Sequence, residues 1–141
     1  MQTLFTNPKV DPSQHPDLNQ YFTFGISVDC VVFGYDGVDV KVLLIKRGTE
    51  PFLDYQAIPG DLVHPKEDAV TATQRVLKDL TGLQNIYLEQ LQTFAGVDRH
   101  PLGRVATIAY FSLLRIEDYN PKPSSWATDA QWTPIQQLGE M

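Results

Sequence analysis

Two apolar runs joined by an Asp-Gly step constrain the fold of this chain more than any other feature. Residues 21–35 (YFTFGISVDCVVFGY) are rich in aromatic and β-branched residues, and the run VDVKVLLIKR follows Asp36 and Gly37. Such residues favour β-strands, and Asp-Gly between two strand-like runs favours a tight turn. The sequence therefore predicts an antiparallel β-hairpin near the start of the folded part.

One segment has the period of an amphipathic helix. Between Glu67 and Leu80, apolar or small residues recur three and four positions apart, and Gly82 follows where a helix commonly ends. The members of this pattern are Ala69, Ala72, Thr73, Val76, Leu77 and Leu80. We therefore predict one helix over this segment, with its stop at Gly82.

Strand-like segments lie on both sides of this helix. A short strand is expected around Ala57 and Ile58, and the segments NIYLEQLQTFAG, RVATIAYFSLLRI and DAQWTP predict three further strands. The terminal IQQLGEM begins a second helix. The order β, β, short β, α, β, β, β, α predicts an α+β domain with helices packed on a mixed sheet.

Length and composition bound the class of protein. The 141 residues, 43% of them hydrophobic, suffice for one domain, expected at residues 21–141 after an irregular, proline-containing arm at residues 1–20. A formal net charge of −6 argues against a broad nucleic-acid-binding surface on this part of the protein. Cys30 is the only cysteine and is expected to pack as a small hydrophobe in a reducing, cytoplasmic setting. Because no cationic leader and no run of about 18 apolar residues is present, we expect neither secretion nor membrane insertion.

The stretch PGDLVHPKEDAVTATQRVLKDLTGL, residues 59–83, carries the strongest functional signal. Glu67 is followed after seven residues by Arg75, and the helix closes with Gly82 and Leu83. This spacing resembles the box of the Nudix family, G-x₅-E-x₇-R-E-U-x-E-E-x-G-U, in which U is an apolar residue. The frame of the box is intact.

The chain departs from that pattern where the box carries its charge. Asp61 stands at the first glycine, and Val76, Asp79 and Leu80 stand at the three glutamates, so one carboxylate of three survives. Carboxylates at positions i, i+3 and i+4 of a helix share a face and can gather Mg²⁺ beside a diphosphate. The usual metal site of the family is therefore not expected here.

Glu67 and Arg75 are the charged residues of the box that remain unchanged. The resemblance implies that they form a structural ion pair that holds the loop against the helix. Three interpretations stay open for Asp79: a lone metal ligand, an i+4 partner of Arg75 on the helix, or a solvated residue. No cysteine or histidine cluster has metal-ligand spacing, so a zinc site is not expected. A ligand-binding domain of this kind requires no cofactor, although a hydrolytic version would use Mg²⁺.

The segment FAGVDRHPLGRVATIAYFSLL is similar to the region after the box in Nudix proteins of the ADP-ribose pyrophosphatase type. Together with VLLIKRGTEPF and the substituted box, it most resembles the N-terminal sensor domain of Nudix-related transcriptional regulators of NAD or sugar metabolism. The resemblance covers residues 21–141 and implies a Nudix-like α/β/α sandwich. It also implies a non-hydrolysing domain that binds a nucleotide sugar or sugar phosphate. A DNA-binding winged-helix domain is expected in the native protein beyond Met141, and a homodimer by analogy.

A nucleotide sugar presents a pyrophosphate, ribose hydroxyls and an adenine, which call for arginines or N–H groups, carboxylates and an aromatic face. By the resemblance, the ligand-binding candidates are Arg47, Phe52, Gly60, Asp98, Arg99 and Arg104. Without it, the arginines at the strand ends would be interpreted as solvated. Trp126 and Trp132 are expected to pack rather than to contact ligand. Tyr110 and Phe111 lie on opposite faces of their strand, so only one can reach a cleft.

Three functions follow from these patterns. The first, which we favour, is a ligand sensor that binds ADP-ribose or a related compound. The second is a Nudix hydrolase with metal ligands recruited elsewhere, for instance Asp79 with Asp61, and glutamates restored at Val76 and Leu80 would test it. The third is a dimerisation module that uses the strand YFTFGISVD as an exposed sheet edge.

Overall fold

In the computed structural model, which describes residues 9–50 and 52–140, seven strands form one mixed sheet. The strands are β1 (Gly25–Tyr35), β2 (Val40–Arg47), β3 (Gln56–Ala57), β4 (Gly60–Leu62), β5 (Glu89–Phe94), β6 (Val105–Arg115) and β7 (Ala127–Pro134). The α-helix α1 covers Ala69–Thr81, and 3₁₀ helices cover Pro12–Gln14, Pro16–Phe22, Ile116–Asp118 and Ile135–Glu140. The predicted α+β architecture is confirmed, whereas the expected closing α-helix is a 3₁₀ helix and β4 was not predicted.

The predicted hairpin is formed by β1 and β2, which pair antiparallel next to a turn wider than Asp-Gly alone. Tyr35 is the last residue of β1 to pair, and its partner is Val40. The carboxylate of Asp36 accepts hydrogen bonds from the N–H groups of Val38 and Asp39 at 2.9 and 2.7 Å. These bonds organise the intervening turn as an Asx-type loop.

β1 runs through the middle of the sheet rather than along its edge. The main path of strands is β3-β2-β1-β6-β5, with β4 joined to β1 and β7 joined to β2. β1 pairs antiparallel with β2 and β4 on one side and parallel with β6 on the other. The expectation that YFTFGISVD forms an exposed edge for dimerisation is therefore wrong, because its strand is paired on both sides.

The ends of α1 follow from its local sequence. The carboxylate of Asp68 accepts a hydrogen bond from the N–H of Thr71 at 2.8 Å and caps the N-terminus. Gly82 has a φ of 76°, a left-handed conformation that glycine adopts without strain, and its N–H donates to Lys78 O at 2.9 Å. The helix begins two residues later than the apolar period predicted, because Asp68 caps it and Glu67 belongs to the preceding loop.

The hydrophobic core lies between α1 and one face of the sheet. Its fully buried members include Val28, Cys30, Val32, Leu43, Ile45, Val76, Leu77 and Leu80. Cys30 packs as predicted, and burial raises the pKa of its thiol to about 12. Tyr110 belongs to this core, and Trp126 and Trp132 pack against its border. On the opposite face, Ile135 and Leu138 of the last 3₁₀ helix lie over an apolar groove of β1 and β2.

Residues 1–8 of the expected arm lie outside the described part of the chain, and in the rest Pro12–Gln14 and Pro16–Phe22 form 3₁₀ helices that bury none of their own side chains. In the described parts of the chain, no helix has both the length and the apolar character needed to cross a membrane.

Candidate functional site

Glu67 and Arg75 form an ion pair that ties the loop after β4 to α1. Arg75 Nη2 donates to Glu67 Oε1 at 2.7 Å, and Arg75 Nε lies 3.1 and 3.2 Å from the two carboxylate oxygens. Arg75 Nη2 also donates to Leu62 O at 2.9 Å, and Glu67 Oε1 accepts from the N–H of His64 at 2.8 Å. These bonds, first the one from Arg75, lower the pKa of Glu67 to about 2. The pair therefore links β4, its loop and the helix through direct hydrogen bonds.

Two of the substituted box positions point into the core. Val76 is 2% exposed and Leu80 is 1% exposed, and both belong to the apolar cluster between α1 and the sheet. A carboxylate at either position would lose its hydration, so these positions cannot present metal ligands without disturbing the core. The glutamate restoration proposed from the sequence is therefore a test of core stability as much as of hydrolysis.

Asp79 is half-buried, and only its backbone has a described hydrogen bond. Its carbonyl oxygen accepts a hydrogen bond from Ser124 Oγ at 2.5 Å. Its charge adds to the raised pKa of Arg75, behind the larger effect of Glu67, but residues 9–50 and 52–140 contain no ion pair within 4.0 Å that includes Asp79. The same residues hold no group of three or more His, Cys, Asp or Glu side chains suited to a metal ion.

A cleft of about 430 Å³ opens beside the box loop, over the first residues of β1 and β6. Its volume lies in the range of roughly 300–1,000 Å³ that is typical of small-molecule sites. The charged and aromatic side chains that line it are those of Asp29, Arg47, Asp61, Arg99, His100 and Trp126. The cleft therefore combines cations, carboxylates and an aromatic ring in one concave surface.

One end of the cleft is built around Trp126. The guanidinium carbon of Arg47 lies 4.4 Å from the centre of the Trp126 ring, and Trp126 Nε1 donates to Asp61 Oδ2 at 3.0 Å. Pairing of β2 with β7 places Arg47 opposite Ala127, which brings the tryptophan next to the arginine. The indole is thus held between a cation and a carboxylate. The cation–π contact alone stabilises such an arrangement by about 0.5–1 kcal/mol at exposed sites.

The other end is organised by Arg99. Its Nη1 donates to Thr107 Oγ1 at 2.8 Å, to Phe94 O at 3.1 Å and to Val105 O at 3.3 Å. The hydroxyl oxygens of Thr107 and Ser27 lie 2.6 Å apart. Arg99 therefore folds the turn between β5 and β6 back onto the sheet and leaves its positive charge beside the cleft.

Asp29 lies on β1 between these two ends. Burial raises the pKa of its carboxyl group, and the charge of Arg99 partly offsets this effect. Gly60 is its partner on β4, and a Cβ atom at position 60 would overlap Asp29 Oδ1 and approach Val28 O to 2.8 Å. A glycine is therefore required at position 60 for the Asp29 carboxylate to occupy its place.

Three of the six predicted ligand-binding residues line this cleft, namely Arg47, Gly60 and Arg99. Asp29, Asp61 as a wall residue, and Trp126 were not predicted from the sequence. The sequence holds one signal for Asp29, because it is the charged residue of the largely apolar run ISVDCVVF.

The other three predicted residues lie outside the cleft wall. The guanidinium carbon of Arg104 is 4.9 Å from the centre of the Phe24 ring, and its Nη2 donates to Ala95 O at 3.4 Å. Phe52 is 52% exposed, and its ring meets Tyr55 edge-on with 6.0 Å between centroids. Asp98 is exposed in the turn between β5 and β6.

Comparison with known proteins gives a consistent set of relatives. The family model of the NUDIX domain matches residues 23–141. The ADPR responsive transcriptional repressor NtrR of Acinetobacter baylyi is 29% identical over 114 residues, which cover 79% of this chain and 45% of that protein. The ADP-ribose pyrophosphatase of Methanocaldococcus jannaschii is 37% identical over 109 residues, which cover 75% of this chain and 63% of that protein. This chain thus spans less than two thirds of either relative.

Among solved structures, the NUDIX domain of Shewanella oneidensis NrtR complexed with ADP ribose is 28% identical to this chain. The two superpose with a TM-score of 0.75 over 82% of this chain and 76% of the other. The mixed sheet with α1 packed on it is therefore shared with a domain that has been crystallised with ADP ribose.

Proposed function

This chain belongs to the NUDIX family, and on that premise we propose that it is a ligand-sensing domain that binds ADP-ribose or a related nucleotide sugar without hydrolysing it. The observation that carries the proposal is the burial of Val76 and Leu80 at two box positions where the family places metal-binding glutamates. Hydrolysis of a diphosphate needs Mg²⁺ to polarise phosphate and water, and Mg²⁺ needs oxygen ligands that these residues do not supply.

The cleft fits the chemistry of such a ligand. The guanidinium groups of Arg47 and Arg99 supply the positive charge that a pyrophosphate requires. The ring of Trp126 and the carboxylate of Asp61 supply an aromatic surface and an acceptor at the same end. Two relatives, the ADPR responsive repressor and the NUDIX domain complexed with ADP ribose, support the choice of ADP-ribose as the first ligand to test.

The regulatory part of the proposal rests on the relative from Acinetobacter baylyi, which is a transcriptional repressor. We infer that occupancy of the cleft is passed to a DNA-binding segment that follows this domain in the native protein. We also propose that the domain forms a homodimer, which light scattering during size-exclusion chromatography would test directly. A monomer at all concentrations would contradict this last point alone.

Hydrolysis is the second candidate, and two observations favour it. The relative from Methanocaldococcus jannaschii, at 37% identity, is an ADP-ribose pyrophosphatase. The cleft also contains two carboxylates, Asp29 and Asp61, which could hold one Mg²⁺ whose remaining ligands are water and phosphate oxygens. In that case the metal would activate water for attack on the pyrophosphate, and Arg47 and Arg99 would bind the phosphates.

A titration of ADP-ribose followed by product analysis separates the two candidates. We expect saturable heats with and without Mg²⁺, and no AMP or ribose 5-phosphate on chromatography after prolonged incubation. Arg47→Ala should weaken binding about tenfold or more, because a charge-assisted contact to phosphate is lost. Arg115→Ala, an exposed arginine at the far end of β6, is the matched control and should bind as the native protein does.

Two results would overturn the sensor proposal. Formation of AMP at enzyme-like rates with Mg²⁺, abolished by a chelator, would establish a hydrolase. Absence of saturation up to millimolar ADP-ribose would remove this ligand from both candidates.

A further inference from the structure

The carboxylate of Asp29 lines the cleft and accepts no hydrogen bond from the described part of the chain. Within residues 9–50 and 52–140, no group donates a hydrogen bond to it, and no cation lies within 4.0 Å of it. Asp61, the other carboxylate in the cleft wall, differs in this respect. Its Oδ1 accepts from the N–H of Leu62 at 2.7 Å, and its Oδ2 accepts from Trp126 Nε1 at 3.0 Å. Of the two, Asp29 therefore keeps more of its acceptor capacity for a ligand.

Three side-chain donors that line the same cleft, those of Ser27, Thr107 and Arg99, have other partners. The hydroxyls of Ser27 and Thr107 bond to each other, and Arg99 Nη1 donates to Thr107 and to two carbonyl oxygens. The glycine at position 60 leaves the space that the Asp29 carboxylate occupies. The Asp29 carboxylate is half-buried, and burial raises its pKa, with the charge of Arg99 partly offsetting this effect. A ligand that brings donors would supply hydrogen bonds to this partly desolvated group.

We propose that Asp29 is a specificity residue, whose carboxylate accepts hydrogen bonds from the hydroxyl groups of a sugar and disfavours a phosphate at the same position. The inference rests on the proposed function, because it assigns one part of the same cleft. It assigns the ribose hydroxyls to Asp29, in the middle of the cleft, and the pyrophosphate to an arginine at one end of the cleft.

The hydrogen-bonding chemistry of a carboxylate favours sugar hydroxyls over phosphate oxygens as the ligand groups next to Asp29. An ionised carboxylate only accepts hydrogen bonds, so vicinal hydroxyls complement it and phosphate oxygens do not. Two negative charges in a partly desolvated cleft repel each other more strongly than in water. The cleft should therefore favour ADP-ribose, which ends in a ribose, over ADP, which ends in a phosphate.

The experiment is a comparison of ADP-ribose and ADP by calorimetry, without Mg²⁺, on the native protein and on Asp29→Asn. The native protein should bind ADP-ribose more tightly than ADP. Asp29→Asn should bind ADP-ribose about tenfold more weakly, because a charge-assisted acceptor is lost, and should bind ADP as tightly or more tightly. The preference for ADP-ribose therefore shrinks by at least tenfold. Asp39→Asn, in the turn between β1 and β2, is the control that should leave both affinities unchanged.

A second variant protects the result from a folding defect. Asp29→Ser also removes the charge and should shift the preference in the same direction.

The outcomes separate this inference from the function on which it rests. If the native protein binds ADP-ribose but Asp29→Asn and Asp29→Ser weaken both ligands equally, Asp29 only supports the cleft and the inference is wrong. If the native protein binds neither ligand, the proposed function and the inference both fail.

Discussion

Replacement of Leu80 by glutamate should strongly destabilise this protein rather than restore a metal site. Leu80 is 1% exposed and packs in the cluster between α1 and the sheet. The new carboxylate would lie among apolar side chains, where full burial raises a glutamate pKa by up to about 3–5 units. At pH 7 the folded state would therefore have to hold the group protonated or bury its charge.

The expected loss of folding free energy can be worked out from the cost of protonating the buried glutamate. Keeping a glutamate with an ordinary pKa of about 4.3 protonated at pH 7 costs roughly 4 kcal/mol, at about 1.4 kcal/mol per pH unit. An unpaired buried carboxyl group adds about 1–3 kcal/mol. The total of roughly 5–7 kcal/mol is comparable with the whole stability of many domains, which is about 5–15 kcal/mol. Because the folded pKa is raised, the proton penalty should disappear as the pH falls to the unfolded value of about 4.3.

Urea unfolding of Leu80→Glu at pH 7 and pH 4.5, followed by tryptophan fluorescence, measures both parts of this effect. Leu80→Met, which nearly conserves volume, is the control and should lose less than about 1.5 kcal/mol. The prediction is refuted if Leu80→Glu is as stable as the native protein at pH 7. Mg²⁺-dependent hydrolysis of ADP-ribose by that stable variant would show that the position faces the cleft.

Three further predictions concern the box pair and the cleft. Glu67→Gln should lower the urea midpoint most at neutral pH. Because the folded pKa of Glu67, about 2, lies below the ordinary glutamate value of about 4.3, the difference from the native protein should shrink as the pH falls below about 4.3 and be largely gone near pH 2. Trp126→Phe keeps an aromatic ring, although a smaller one, and removes the Nε1–H donor to Asp61. Calorimetry should therefore show ADP-ribose binding weakened about fivefold with little change in thermal midpoint, and an unchanged affinity would place the indole outside the binding surface. Gly60→Ala should cost about 1–3 kcal/mol in thermal unfolding, because its methyl group overlaps the Asp29 carboxylate, and equal stability would mean that the carboxylate moves aside freely.

The parts of the fold that depend on near neighbours in sequence were predictable. The hairpin of β1 and β2 and the helix α1 are confirmed, because each is set by the period of its own residues and by Asp36, Asp68 and Gly82 at their ends. The edge assignment of β1 was wrong, because its parallel pairing with β6 joins residues about 80 positions apart and leaves no local pattern.

The cleft shows the same division between local and distant information. The resemblance implies ligand contacts for Arg47, Gly60 and Arg99, and the structure brings all three to the same cleft. The sequence alone predicts packing for Trp126, because only the pairing of β2 with β7 reveals that its ring lies against Arg47. The sequence does not predict Asp29 as a site residue, because its strand has the composition of a core strand. The structure shows that the missing side chain of Gly60 leaves the space that the Asp29 carboxylate occupies.

Two parts of the box have separate roles: the Glu67–Arg75 pair holds the loop, and the glutamate positions lie on the helix. This separation explains how the cleft can persist when the glutamates are replaced. The bonds of Glu67 and Arg75 to His64 and Leu62 hold the loop after β4, and none of them passes through a substituted position. Apolar side chains at the other box positions then add to the core beneath the helix, where glutamates would have required hydration. A chain with this arrangement keeps the loop that positions Asp61 and Gly60 without carboxylates at the two buried positions. The residues that hold the loop therefore differ from the residues at which the box carries those glutamates, so the shape of the cleft does not depend on them.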